Sequence, residues 1–226
     1  GTVTLNTTGT TSGDVSIDND TNALTLTGTI NGSLTVLNGG TIADSATLRV
    51  TGTSSFTTDA TGANITLSSS DLEGAITLST FATSNFTLDN GSQAVILAAG
   101  TVNGASSITT SGAISQTGAL VVTGTSSFSS TGTDTNIDLS NAANNFGGTV
   151  TLNTTGTTSG DVSIDNDTNA LTLTGTINGA LTVLNGGTIA DSATLRVTGT
   201  SSFTTDATGA NITLSSSDLE GAITLS

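Results

Sequence analysis

Two acidic groupings place chemically useful residue types at useful spacings. In GDVSIDNDTN, residues 13–22, Asp18, Asp20 and Asn22 alternate as they do at the start of a calcium loop, offering the hard oxygen ligands that ion takes. The twelfth position of such a loop carries a bidentate Glu, and here it is Thr29, so the match stops early. The same residues suit a solvated corner closed by Asx turns, which is the simpler expectation. Calcium is the one cofactor candidate, and otherwise none is expected. In SSSDLEG, Asp71 and Glu73 are a carboxylate pair of the kind a glycosidase uses as acid and base. No aromatic platform for a sugar accompanies them, and no catalytic residue is assigned.

Composition closes most other routes to chemistry. The 226 residues include no His, Cys, Pro, Met, Trp or Tyr, and the only two cationic side chains are Arg49 and Arg196. Imidazole bases, thiolate nucleophiles, soft-metal sites and lysine Schiff bases are therefore absent, and an enzyme is not expected. A formal charge of -15 repels nucleic acid phosphates and anionic membrane surfaces alike. No apolar run approaches the roughly 20 residues that span a bilayer. The absence of Cys excludes the small disulfide scaffolds. Richness in Gly, Ser, Thr and Asn raises disorder as an alternative, but only 8% of residues are charged and the apolar residues are regularly placed.

That placement is a repeat. Residues 1–79 recur at 148–226 with one change, Ser33 to Ala180, so the chain reads as one full period, 1–147, and a partial second, 148–226, in a single continuous rod. Inside the period short strand phrases recur: TVTL at 2–5, ALTL at 23–26, TLRV at 47–50, AITL at 75–78, AVIL at 94–97 and ALVV at 119–122. Their leading apolar residues, Val3, Leu24, Leu48, Ile76, Val95, Leu120 and Val150, lie 19 to 30 residues apart, a solenoid spacing. Six coils per 147 residues follow, with three short strands per coil because two further apolar clusters trail each phrase. Leu24 and Leu26 point one way and Thr25 the other, as a pleated strand requires. One coil cannot bury its own apolar row, so the core exists only when coils stack. At about 4.8 Å per coil, six coils rise roughly 29 Å.

The stretches ANNFGGTVTLNTTG at 143–156, GALVVTGTSSFSSTG at 118–132 and GANITLSSSD at 62–71 resemble the repetitive regions of filamentous haemagglutinin-like adhesins and other giant bacterial surface proteins. The resemblance covers essentially the whole chain. It implies an all-β, right-handed parallel β-helix (β-solenoid) that is extracellular or displayed on the cell surface and serves as a stalk, adhesive filament or biofilm matrix component. The alternative is a surface passenger whose corners bind glycan or calcium. Expected partners are further copies of the fibre and a host or cell-surface glycan or protein, with no nucleic acid and no membrane insertion. Neither end reads as a cap, so the chain is expected to continue covalently or to stack end to end.

Single residues complete the reading. Ile96 and Val121 interrupt the outward Thr rows. If both face out on adjacent coils they form an apolar spot for lateral contact, and a one-residue slip would turn them inward instead. The Phe residues, among them Phe56, Phe81 and Phe128, are expected to stack inside. Arg49 is expected outside, paired to a carboxylate.

Overall fold

A computed structural model describes residues 1–9, 13–157 and 159–226. Every regular element among them is a β-strand, and every strand pairing is parallel. The chain winds between two walls, a sheet of 13 strands and a sheet of 14. The first wall holds Thr2–Asn6, Leu24–Ile30, Ile42–Val50, Ile65–Leu67 with Ser70–Leu72, Phe86–Asp89, Ser106–Thr110, Ser126–Thr133, Val150–Thr155, Leu171–Ile177, Ile189–Val197, and Ile212–Thr213 with Ser217–Leu219. The second wall holds Val15–Asp18, Leu34–Asn38, Ser54–Thr58, Ile76–Ser79, Val95–Leu97 with Gly100–Val102, Ile114–Gln116 with Leu120–Val122, Ile137–Leu139 with Asn145–Phe146, Val162–Asp165, Leu181–Asn185, Ser201–Thr205 and Ile223–Leu225. Alternation between the walls gives eleven coils, numbered 1 to 11 below, and a rise of about 53 Å.

The all-β parallel solenoid is as the sequence implies, but the coil count differs. Val150–Thr155 repeats Thr2–Asn6 seven coils later, so 147 residues make seven coils and rise about 34 Å. The six-coil expectation took all strand phrases as equivalent. Val3, Leu24 and Leu48 lie on the first wall, whereas Ile76, Val95 and Leu120 lie on the second. The two longest intervals, Leu48 to Ile76 and Leu120 to Val150, each span one and a half coils. An inward Leu beside an outward Thr looks the same on either wall, so alternation cannot report the change. Three strands per coil occur in coils 4 to 7 and 11, where one wall is split into two short strands, and among the described residues the other coils have two.

The core is the strip between the walls. Leu24, Leu26, Ile42, Leu48, Ile65 and Phe86 fill it from one side, and Leu34, Val36, Phe56, Ile76, Val95 and Leu97 from the other, all buried. Five of the six Phe residues lie inside, and Phe128 meets Phe146 edge-on at 5.8 Å between ring centroids. Phe81 is the exception to the expected stack: it sits at the corner after Ile76–Ser79 and is 50% exposed.

The split in the first wall at coil 4 is bridged by a side chain. Ile42–Val50 is long enough to pair with both Ile65–Leu67 and Ser70–Leu72, and Asp44 in its middle reaches the gap between them. Its carboxylate accepts from Ser68 N at 2.8 Å, Ser68 Oγ at 3.1 Å, Ser69 N at 2.9 Å and Ser70 Oγ at 2.9 Å. Hydrogen bonds to a charged acceptor are the stronger kind. Asp44→Ala is therefore expected to cost about 1.5–3 kcal/mol in denaturant unfolding, and Asp44→Asn less, because it keeps an acceptor.

The backbone is equally constrained at Gly28 and its copy Gly175, with φ of 111° and 121°. A Cβ there would overlap the carbonyl oxygen of Leu5 or Leu152 in the coil before, which explains Gly at a register shift inside a strand.

Candidate functional site

The calcium-like motif forms a corner on the second wall. Asp18 Oδ1 accepts from Asp20 N at 3.0 Å, an Asx turn that carries Asp20 to a φ of 52°. The Asn22 carbonyl oxygen accepts from Asn38 Nδ2 at 3.0 Å. Asp18 and Asp20 are exposed. In the copy, Asp165 is only 6% exposed, because coil 8 lies against coil 7. Asp165, Asp167 and Asp206 line a hollow of about 120 Å³ with Ala142, Thr168 and Gly186. Among the described residues no group of three or more His, Cys, Asp or Glu side chains is arranged to hold a metal ion.

Burial pushes the Asp165 carboxyl above its ordinary range. The Asp167 N–H bond opposes that shift, and repulsion from Asp206 and Asp167 adds to it. An acid whose folded pKa is raised destabilises the fold when charged, so its penalty is absent at low pH and appears as pH rises through the folded value. Asp165→Asn keeps an oxygen for the Asp167 N–H and is expected to raise the melting temperature at neutral pH, with the gain vanishing in acid. Asp191, the copy of Asp44, behaves oppositely. Burial alone would raise it, but bonds from Ser216 N, Ser217 Oγ, Ser215 N and Ser215 Oγ outweigh that and hold it below the usual range. Its stabilisation is present above the ordinary carboxylate pKa and is lost as pH falls through the lowered one.

Asp71 and Glu73 are brought together by Arg49. The guanidinium Nε lies 3.4 Å from Asp71 Oδ2, and its NH2 group bonds Glu73 Oε1. Arg196 repeats this with Asp218 and Glu220. The cation expected to be outward is thus outward and paired, and the two carboxylates share it.

Ile96 and Val121 both face outward from the second wall, half-buried, but they do not meet. Ile96 stacks beside Ser115, whereas Val121 stacks between Thr101 and Asn145. Adjacent coils carry them, but on separate ladders, because the wall is split there. The outward ladder through Val121 runs Asp18, Leu37, Thr57, Ser79, Thr101, Val121 and Asn145. Leu37, 39% exposed, and its copy Leu184, 46% exposed, were not singled out from sequence.

Three consecutive stretches, residues 12–79, 83–153 and 159–226, match the family model described as repeats of unknown function (DUF5649). The chain belongs to the DUF5649 repeat family. No curated protein and no solved structure matches it. The 147-residue identity period therefore contains two DUF5649 repeats, the second diverged from the first.

DUF5649 repeats share features that sequence reading passed over. Asn90 Oδ1 accepts from Leu72 N at 2.8 Å and its Nδ2 donates to Leu72 O at 3.0 Å, so a buried amide continues a ladder where the strand Ser70–Leu72 has no further partner. Asn166 does the same for Phe146, at 2.6 Å and 3.3 Å. Gln116 in the middle repeat takes the place that Asp44 has in the first, exchanging bonds with Asn144 through Nε2 and Oε1 at 2.8 Å and 2.9 Å. The available signal was an Asn following an inward Leu or Ile and one outward residue, as in LDN and IDN, but turn-favouring Asn is so common here that it reads as solvated.

Proposed function

We propose that the chain is a structural segment of an extracellular or cell-surface fibre, acting as a rigid stalk, adhesive filament or matrix component. One observation carries this reading: backbone ladders and an apolar strip run through all eleven coils. A solenoid lengthens by adding coils without changing its cross-section, which suits spacing and mechanical continuity. Outward rows of Thr and Ser, as at Thr66, Thr87, Ser107, Ser127 and Thr151 on one ladder, give that strip of the rod a wet, uncharged surface. Partners would then be other rods of the same kind or surface glycans and proteins. The test is electron tomography of the producing cells with an antibody raised against the chain. Labelled extended filaments outside the cell are the expected result. Label confined to compact particles inside the cell would overturn the proposal.

A further inference from the structure

Each DUF5649 repeat consists of an odd number of wall segments. Residues 12–79 begin on the second wall with Val15–Asp18 and end on it with Ile76–Ser79, after seven wall segments. Residues 83–153 begin and end on the first wall, from Phe86–Asp89 to Val150–Thr155, again in seven. Residues 159–226 return to the second wall. One repeat is three and a half coils.

The outer ladders confirm the exchange residue by residue. Asp18, Leu37, Thr57, Ser79, Thr101, Val121 and Asn145 run up the second wall. Asp89, Thr109, Ser129, Asn153, Thr176, Arg196 and Asp218 run up the first, each one repeat later. Identical residues of the first and third repeats consequently share a wall only because a second half-integral repeat separates them.

We propose that residues 83–153 act as a half-turn spacer that makes the rod two-faced. Leu37, Ile96, Val121 and Leu184 all face outward from the second wall, and Arg49 and Arg196 both face outward from the first. Among the described strands, the first wall carries no outward aliphatic larger than Ala43 and Ala190. Losing or gaining one repeat would put Leu184 opposite Leu37 and Arg196 opposite Arg49, whereas changes by pairs would preserve the faces. A partner that touches Leu37 meets Leu184 on the same side, about 34 Å along.

The test deletes residues 80–153, one repeat by the Ser79 and Asn153 correspondence, and uses the absence of native Cys. In the shortened chain Val162–Asp165 should take the first-wall place of Phe86–Asp89, whose Thr87 stacks on Thr66. Ser163 then lies beside Thr66, about 4.8 Å away and within disulfide reach. Thr66→Cys with Ser163→Cys should oxidise to a disulfide, and Thr77→Cys with Ser163→Cys should not. In the full chain neither pair should link. Linking of the Thr77 pair alone in the shortened chain would overturn the proposal. A second variant duplicates residues 80–153. Spin labels at Arg49→Cys and Arg196→Cys should there sit on opposite walls, three and a half coils further apart than in the parent. Failure of both variants to fold would also overturn it, since it requires each repeat to fit either wall.

Discussion

Phe128→Ala should lower the unfolding free energy by about 3–5 kcal/mol, the range for deleting a buried ring. Phe128 has no exposed surface and packs edge-on against Phe146. Its coil neighbours Ile108 and Leu152 stack directly below and above it in the same inward row. Those contacts belong to adjacent coils, so the cavity cannot close without shifting a ladder that runs the length of the rod. Urea unfolding followed by circular dichroism measures it. Phe81→Ala, at the exposed corner, should change stability by no more than about 0.5 kcal/mol, and equal losses at the two positions would contradict the core described here.

Asn144→Leu should be nearly as damaging, at about 3 kcal/mol or more, because it strips partners from several buried groups at once. Asn144 Nδ2 donates to Leu139 O at 2.9 Å, Asp165 O at 3.1 Å and Gln116 Oε1 at 2.9 Å. Its Oδ1 accepts from Leu120 N at 2.9 Å and Gln116 Nε2 at 2.8 Å. Leu keeps the same branched heavy-atom skeleton but can neither donate nor accept, so the lost hydrogen bonds dominate the effect. Asn145→Ala, one residue on and exposed, is the control and should be close to neutral. A neutral Asn144→Leu would mean that the corner amides do not hold adjacent coils together.

These two residues mark what can and cannot be read from sequence. Phe128 is readable because it is the single large apolar residue in a run of Ser and Thr, TSSFSS, and the setting recurs as TSSFTT around Phe56 and Phe203. Asn144 is not, because Asn serves equally in a wet turn and in a dry corner, and only the coil packed against it decides between them. The coil count failed for a related reason. Alternation reports inside and outside but not which wall, and Leu48 and Ile76 look alike although they lie on opposite walls. Ile96 and Val121 both face outward from the second wall, but their separation on different ladders depends on a wall split invisible in the alternation. At the Asp18 corner the sequence left an incomplete calcium loop and an Asx turn as alternatives, and the Asp18 to Asp20 bond supplies the turn.

The most direct measurement is the distance between spin labels on Arg49→Cys and Arg196→Cys in the full chain, two identical outward positions on one wall. A continuous rod of seven coils per 147 residues predicts a single narrow distribution centred at about 34 Å. A centre near 29 Å, the value for six coils at about 4.8 Å each, or a broad distribution, would contradict it.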